Sequence, residues 1–268
     1  ILFVPPLARG TGSGHLARFF ELAKNLGPRA AIYVPEQPLP GERGLAEILL
    51  AYRNDFDRVR VVSAMPATPF SLIVLDRRKT TRSEYERWAA LGTVVALDEG
   101  GEARECAEYL IDVLPRMNTK LLCNKREANV ADLGFLSLPR NRRRNPPEEA
   151  RRVLVSFGGE DPASLAGSFV ELAVSGRYLA PESMTVVSGA LRKPGGADSF
   201  DGVSYVGPIQ DRKERLADFD LGVTQFGLTA FDAAWAGCAV LRLNPSRYQE
   251  RLARLSGFAS IGAGRPDK

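Results

Sequence analysis

The sequence predicts an α/β protein of two halves, each built on a parallel sheet, and three observations predict it. Apolar runs of strand length alternate with amphipathic stretches, the pattern left when crossover helices join parallel strands. One arginine-rich segment bearing Pro146-Pro147 interrupts that alternation near mid-chain. A glycine-bearing turn follows the leading strand of each half, where open parallel sheets gather their ligands.

In the first half the apolar runs predict strands at 1–4, 30–34, 59–63, 72–75 and 93–97. Leu16, Phe19, Phe20 and Ala23 recur at helical spacing, so 14–26 reads as a helix with one buried stripe, stopped by Gly27-Pro28. In the second half strands are expected at 153–157, 184–187, 203–206, 221–224 and 240–243, with helices over 163–174, 211–217, 229–236 and 247–255. These runs give domains at 1–139 and 153–268, joined by a linker at 140–152.

Composition narrows the class of function. With 268 residues, 44% apolar and 25% charged, the chain suits a globular enzyme. The net charge of +4 is local: without the six arginines and two glutamates of 140–152, the remainder carries 30 basic and 30 acidic groups. No aromatic residue interleaves those arginines, so the segment reads as a solvated linker, with an electropositive patch that attracts an anionic substrate as the alternative and no nucleic-acid partner expected. Cys106, Cys123 and Cys238, with a single histidine in the chain, have no metal-ligand spacing and form no disulfide framework, which fits a reducing cytoplasm. Nor is there an apolar run long enough to span a membrane.

The chemistry is expected in the turns. Arg9-Gly10-Thr11-Gly12-Ser13-Gly14-His15 lies between a strand and a helix, where alternate glycines bring backbone close to a ligand and free N–H groups favour an anion. No Gly-Lys-Ser/Thr follows, so this is not a phosphate loop of the Walker kind. Gly12, Gly14 and Ala17, with Glu36 further on, also fit the dinucleotide fingerprint, which keeps an NAD(P)-dependent oxidoreductase open. His15 stands in the first helical turn, where the macrodipole disfavours a cationic ring. Its readings are a general base, a substrate contact, or a residue that caps or packs its own turn.

In the second half, Gly158-Gly159-Glu160-Asp161-Pro162 follows the first strand, with Asp161 as a candidate helix cap. Gln225-Phe226-Gly227-Leu228-Thr229 follows a later strand and leads into a helix carrying Asp232. That carboxylate suits either a ribose diol or the helix dipole. Asn244-Pro245-Ser246-Arg247-Tyr248-Gln249 offers polar side chains to the same edge.

Taken together, the G-x-G-H loop ending at His15, the Ser156-Phe157-Gly158-Gly159-x-Asp161-Pro162 turn and the G-x-T-x-x-[D/E]-x-x-x-x-G helix from Gly227 to Gly237 before Gln249 resemble the UDP-sugar family of GT-B fold. The similarity is greatest to the UDP-sugar hydrolases of pseudaminic acid biosynthesis and the spore-coat polysaccharide proteins, and more distant to the N-acetylglucosaminyltransferases that form lipid II. It covers nearly the whole chain.

The resemblance implies two Rossmann-like domains with parallel sheets facing a cleft, no metal and no cofactor. It implies hydrolysis of a UDP-sugar at the anomeric carbon, with transfer to an acceptor or non-catalytic sugar-nucleotide binding as the alternatives. It places Gly12, Ser13, Gly14 and His15 near the diphosphate and anomeric carbon, with His15 as base. Gly158 and Gly159 would face the nucleotide, Gly227, Leu228 and Thr229 the phosphates, Asp232 the ribose and Gln249 the sugar, while Asp98 would belong to an acidic loop facing the cleft. The chain departs from the family at Gln225, Phe226, Asp232, Cys238 and Tyr248, with Phe226 expected beside the phosphate path.

Overall fold

A computed structural model describes the chain except residues 9, 10, 12, 13, 38–43, 78, 115–125, 134–136, 146, 147, 160, 162, 190–198, 208, 210 and 265–268. The chain divides into two compact units, residues 1–137 and 138–268.

Unit 1 runs β1 (Leu2–Val4), α1 (Gly14–Leu26), β2 (Ala31–Tyr33), α2 (Leu45–Ala51), α3 (Arg53–Phe56), β3 (Arg60–Val62), β4 (Ile73–Leu75), α4 (Arg82–Ala89), β5 (Val94–Leu97), α5 (Ala103–Cys106), β6 (Tyr109–Asp112) and β7 (Val130–Ala131). Its sheet has the order β3-β2-β1-β4-β5-β6-β7, with every adjacent pair parallel. The central strands are apolar on both faces because crossover helices leave neither face in water. Leu2, Val4, Ile73, Leu75, Val94 and Ala96 pack with Trp88 of α4 in one core. On α1 the buried stripe is Leu16, Phe19 and Ala23, and Phe19 meets Phe3 of β1 at 5.1 Å between ring centroids. The helix gives way at Gly27, whose φ of 56° suits glycine, followed by Pro28, which opens a short 3-10 turn.

Unit 2 runs β8 (Val153–Val155), α6 (Leu165–Ser175), β9 (Met184–Val187), β10 (Ser204–Val206), β11 (Leu221–Thr224), α7 (Leu228–Trp235), β12 (Ala239–Asn244), α8 (Arg247–Leu255) and β13 (Ala259–Ala263). The sheet order is β10-β9-β8-β11-β12-β13, again all parallel. Val153, Val155, Phe157, Phe169, Val170, Met184 and Leu243 form its main core.

Two sequence expectations meet different structure. Residues 211–217 do not form a helix: turns lead into a 3-10 turn at Leu216–Asp218, and Asp211 at φ 51° breaks the regular right-handed path. Segment 140–152 is exposed along most of its length, yet it belongs to unit 2 and is bonded to it at both ends. Arg143 donates to Asp220 Oδ1 at 2.8 Å and to the Ala217 carbonyl at 3.1 Å, while the Arg151 and Arg152 N–H groups donate to Asp220 Oδ2. Glu214 accepts the Arg140 and Asn141 N–H groups, and the Arg142 guanidinium lies 4.7 Å from the Trp235 ring centroid. Burial pushes the Asp220 carboxyl up, but the Arg143 hydrogen bond, the Arg152 N–H and both guanidinium charges outweigh it and hold the group below the usual aspartate value. Among the described residues no helix is long and apolar enough to cross a membrane.

Candidate functional site

In both sheets the strand order reverses once, between β1 and β4 in unit 1 and between β8 and β11 in unit 2. Crossovers leave opposite faces at such a point, so the loops from the two strand ends splay apart and open a crevice. The residues of interest cluster at these two edges.

At the first edge, His15 begins α1 after β1, and Asp76 directly follows β4. The two side chains are 5% and 4% exposed, with His15 Nδ1 and Asp76 Oδ1 2.6 Å apart. An ionised carboxylate can only accept, so Nδ1 is the donor in this contact and Nε2 is the ring's other nitrogen. Nε2 is buried and has no hydrogen-bond partner among the described residues. A buried polar atom left without a partner costs about 1–3 kcal/mol.

Arg18, one turn along α1, ties the dyad to the next strand. Its Nε lies 3.5 Å from Asp76 Oδ2, and its Nη2 donates to Asp98 Oδ2 at 3.1 Å. Asp98 follows β5 at φ 47° and is buried, with Oδ1 accepting the N–H groups of Val113 and Leu114 at 2.9 and 3.0 Å. One guanidinium thus sits between two buried carboxylates, and the ends of β4 and β5 are fastened to α1. Both Asp98 oxygens are engaged inside unit 1, so this side chain acts first as a brace for the loop after β6.

Of the glycine loop, Gly12 and Ser13 lie outside the described residues, while Gly14 opens α1. Ala17 is exposed, whereas the third small residue of the dinucleotide fingerprint packs its helix onto the strand. Glu36 lies beyond β2 on a shallow apolar groove lined by Val34, Leu49, Phe56 and Val61.

At the second edge, Gly158 takes φ 83°, the left-handed region that favours glycine, and Gly159 is buried. Gln225 Nε2 donates to the Phe157 carbonyl at 3.2 Å, which stitches the loops after β8 and β11 together. Asp161 acts as a cap, its two oxygens accepting the Leu165 and Ala166 N–H groups at 2.8 and 3.0 Å. Gly227 precedes α7 with no side-chain cap, no acid stands in the first turn, and a Cβ on Gly227 would meet open space. Among the described residues the leading N–H groups of α7 therefore have no side-chain acceptor.

Around that helix start, Arg212 donates to Ser156 Oγ at 3.3 Å and to Thr229 Oγ1 at 3.4 Å. Lys213 Nζ lies 3.9 Å from Asp232 Oδ1. Leu228, Thr229 and Asp232 are all partly exposed. Phe226 is buried and turned inward, edge-on to Phe231 at 5.9 Å, so its ring leaves the helix start clear. Gln249 accepts from Ser246 Oγ at 3.1 Å in the first turn of α8, and Cys238 is a buried thiol pushed up to about 12 by burial.

Sequence reading missed Asp76, Arg18 and Arg212. For Asp76 a signal existed, since an acid directly after an apolar strand sits at the ligand edge of a parallel sheet. Arg18 and Arg212 become meaningful only through partners far along the chain. No protein-family model matches the chain, and no curated protein matches it.

Proposed function

We propose that the chain is a GT-B-like, metal-independent enzyme that hydrolyses a UDP-activated sugar at its anomeric carbon. The observation that carries this reading is the buried His15–Asp76 pair at the reversal point of the first sheet, with Nε2 left without a hydrogen-bond partner among the described residues. Asp76 holds the ring in the tautomer whose Nε2 takes a proton, the orienting role a carboxylate plays toward an imidazole base in hydrolases generally.

In this mechanism water gives a proton to His15 Nε2 as its oxygen bonds to the anomeric carbon. The bond from that carbon to the diphosphate oxygen breaks, and UDP leaves with the electron pair. The uncapped start of α7, with Gly227, Leu228 and Thr229, receives the developing negative charge, aided by Gly158 and Gly159 across the edge. Asp232 takes the ribose hydroxyls and Gln249 the sugar. The protonated ring then returns its proton to solvent. An acceptor hydroxyl in place of water turns the same steps into glycosyl transfer.

The test is release of UDP from a panel of UDP-sugars, with and without a metal chelator. Release that survives chelation supports the reading. No release from any sugar at stoichiometric protein, with UDP still bound, leaves a sugar-nucleotide-binding protein in its place.

A further inference from the structure

Arg242 stands on β12, next to the edge strand of the second sheet, and has no exposed surface. Its guanidinium carbon lies 3.9 Å from the Phe258 ring centroid, 4.9 Å from that of Phe226 and 5.6 Å from that of Phe231. Nη1 donates to the Gln225 carbonyl at 3.2 Å, while Nε and Nη2 have no hydrogen-bond partner among the described residues. Burial lowers the group to about 10, with no opposing charge acting on it, so it remains a cation at neutral pH.

Burying a cation without a carboxylate is costly, and three ring faces with one carbonyl offset only part of that cost. The location gives the charge a use. Its one bonded nitrogen reaches Gln225, two residues before the Gly227 cap of α7. Asn244 of the same strand holds the other side of that same peptide group by accepting the Phe226 N–H at 2.8 Å. The turn that presents the uncapped helix start is thus held from beneath by a strand carrying an unneutralised positive charge in surroundings of low polarity, where its field is weakly screened.

We propose that Arg242 is the buried counter-charge for an anion of the phosphate class bound at the start of α7. This rests on the reading that unit 2 holds a nucleoside diphosphate, and it names the residue that makes the site prefer a phosphate-bearing ligand to a neutral one. It also accounts for Phe226, whose ring forms one wall of the cage.

The experiment measures binding of inorganic pyrophosphate, UDP and uridine to the full chain at matched ionic strength, for wild type, Arg242→Met and Arg242→Lys. Methionine fills an aromatic cage without charge. The wild type is expected to bind pyrophosphate and UDP more tightly than uridine. Arg242→Met is expected to melt no lower than the wild type when unliganded, yet to lose about tenfold or more in pyrophosphate affinity, with Arg242→Lys in between. Equal pyrophosphate affinity in the wild type and Arg242→Met overturns the proposal, as does a wild type that binds no pyrophosphate. If Arg242→Met does not fold, Arg242→Gln takes its place: a loss of about tenfold or more in pyrophosphate affinity supports the proposal and unchanged affinity overturns it.

The two readings fail separately. UDP bound no better than pyrophosphate by a wild type that depends on Arg242 removes the nucleotide and keeps the anion. UDP bound equally by wild type and Arg242→Met keeps the nucleotide and removes the role of Arg242.

Discussion

At the reversal point of the first sheet the buried carboxylates are partnered: Asp76 meets His15 Nδ1 and Arg18, and Arg18 reaches on to Asp98. In the second sheet, on β12 one strand beyond the reversal, Arg242 meets three phenyl rings and a carbonyl. Paired groups hold one another in a fixed geometry before any ligand arrives, which suits a base whose tautomer must be right. An unpaired buried cation lowers stability and gains most when an anion comes near. The contrast shows how one topology can serve positioning in one unit and attraction in the other.

The largest expected effect tests the paired side through a neighbouring ion pair. Arg104 and Asp112 form a buried two-pronged bridge, with contacts of 3.0 and 2.8 Å. Arg104→Met takes the guanidinium away from the buried Asp112, and unit 1 is expected to lose about 3–5 kcal/mol in urea unfolding. A loss below about 1 kcal/mol would place the pair among weak surface bridges and erase its contrast with Arg242.

Next come the dyad variants. His15→Ala is expected to lower turnover about 100-fold or more with little change in UDP affinity, and an equal loss in both would make the ring a diphosphate contact instead. Asp76→Asn is expected to lower turnover by about tenfold or more while populating the Nε2–H tautomer. His15 is the only histidine, so a nitrogen-15 spectrum reads that tautomer without assignment. An unchanged spectrum would deny Asp76 its orienting role.

The smallest effect concerns acid. Burial raises Glu250, but hydrogen bonds from Ser260, Arg254 and Asn244 outweigh it, so Glu250 and Asp220 both lie below their ordinary values in the folded chain. The unfolded chain then binds more protons through that range, so their stabilisation is full above the ordinary carboxylate values and is lost as pH falls through the lowered ones. Melting of unit 2 should therefore drop in that window. Asp220→Asn should flatten the curve, and an unchanged curve would mean that the arginine segment contributes little.

How far the sequence could be read follows from how each element reaches its burial. Strands such as β1, β4, β8 and β11 announce themselves because their own side chains are the core. β6 does not, since its ends are the exposed Tyr109 and the buried Asp112, an acid paired inside with Arg104. β13 is made mostly of small residues on a half-exposed edge. α4 is strongly polar and buries Trp88, and its one sequence signal is the capping box of Thr81 and Glu84, three residues apart. His15 was readable from its place after the first strand. Asp76 completes it across 61 positions, a pairing that one sequence does not display. Arg242 breaks an apolar strand, and the rings that admit it come from two helix-side positions and the approach to β13.

The clasp at Asp220 bears on how the second unit can be cut free. A fragment beginning at Val153 would discard Arg143, Arg151 and Arg152 and leave that aspartate facing its own hydrophobic surroundings, whereas one beginning at Leu138 takes its guanidinium fastening along. The protease-resistant core of this half should accordingly start upstream of the arginines, on the far side of the stretch whose composition suggests a hinge.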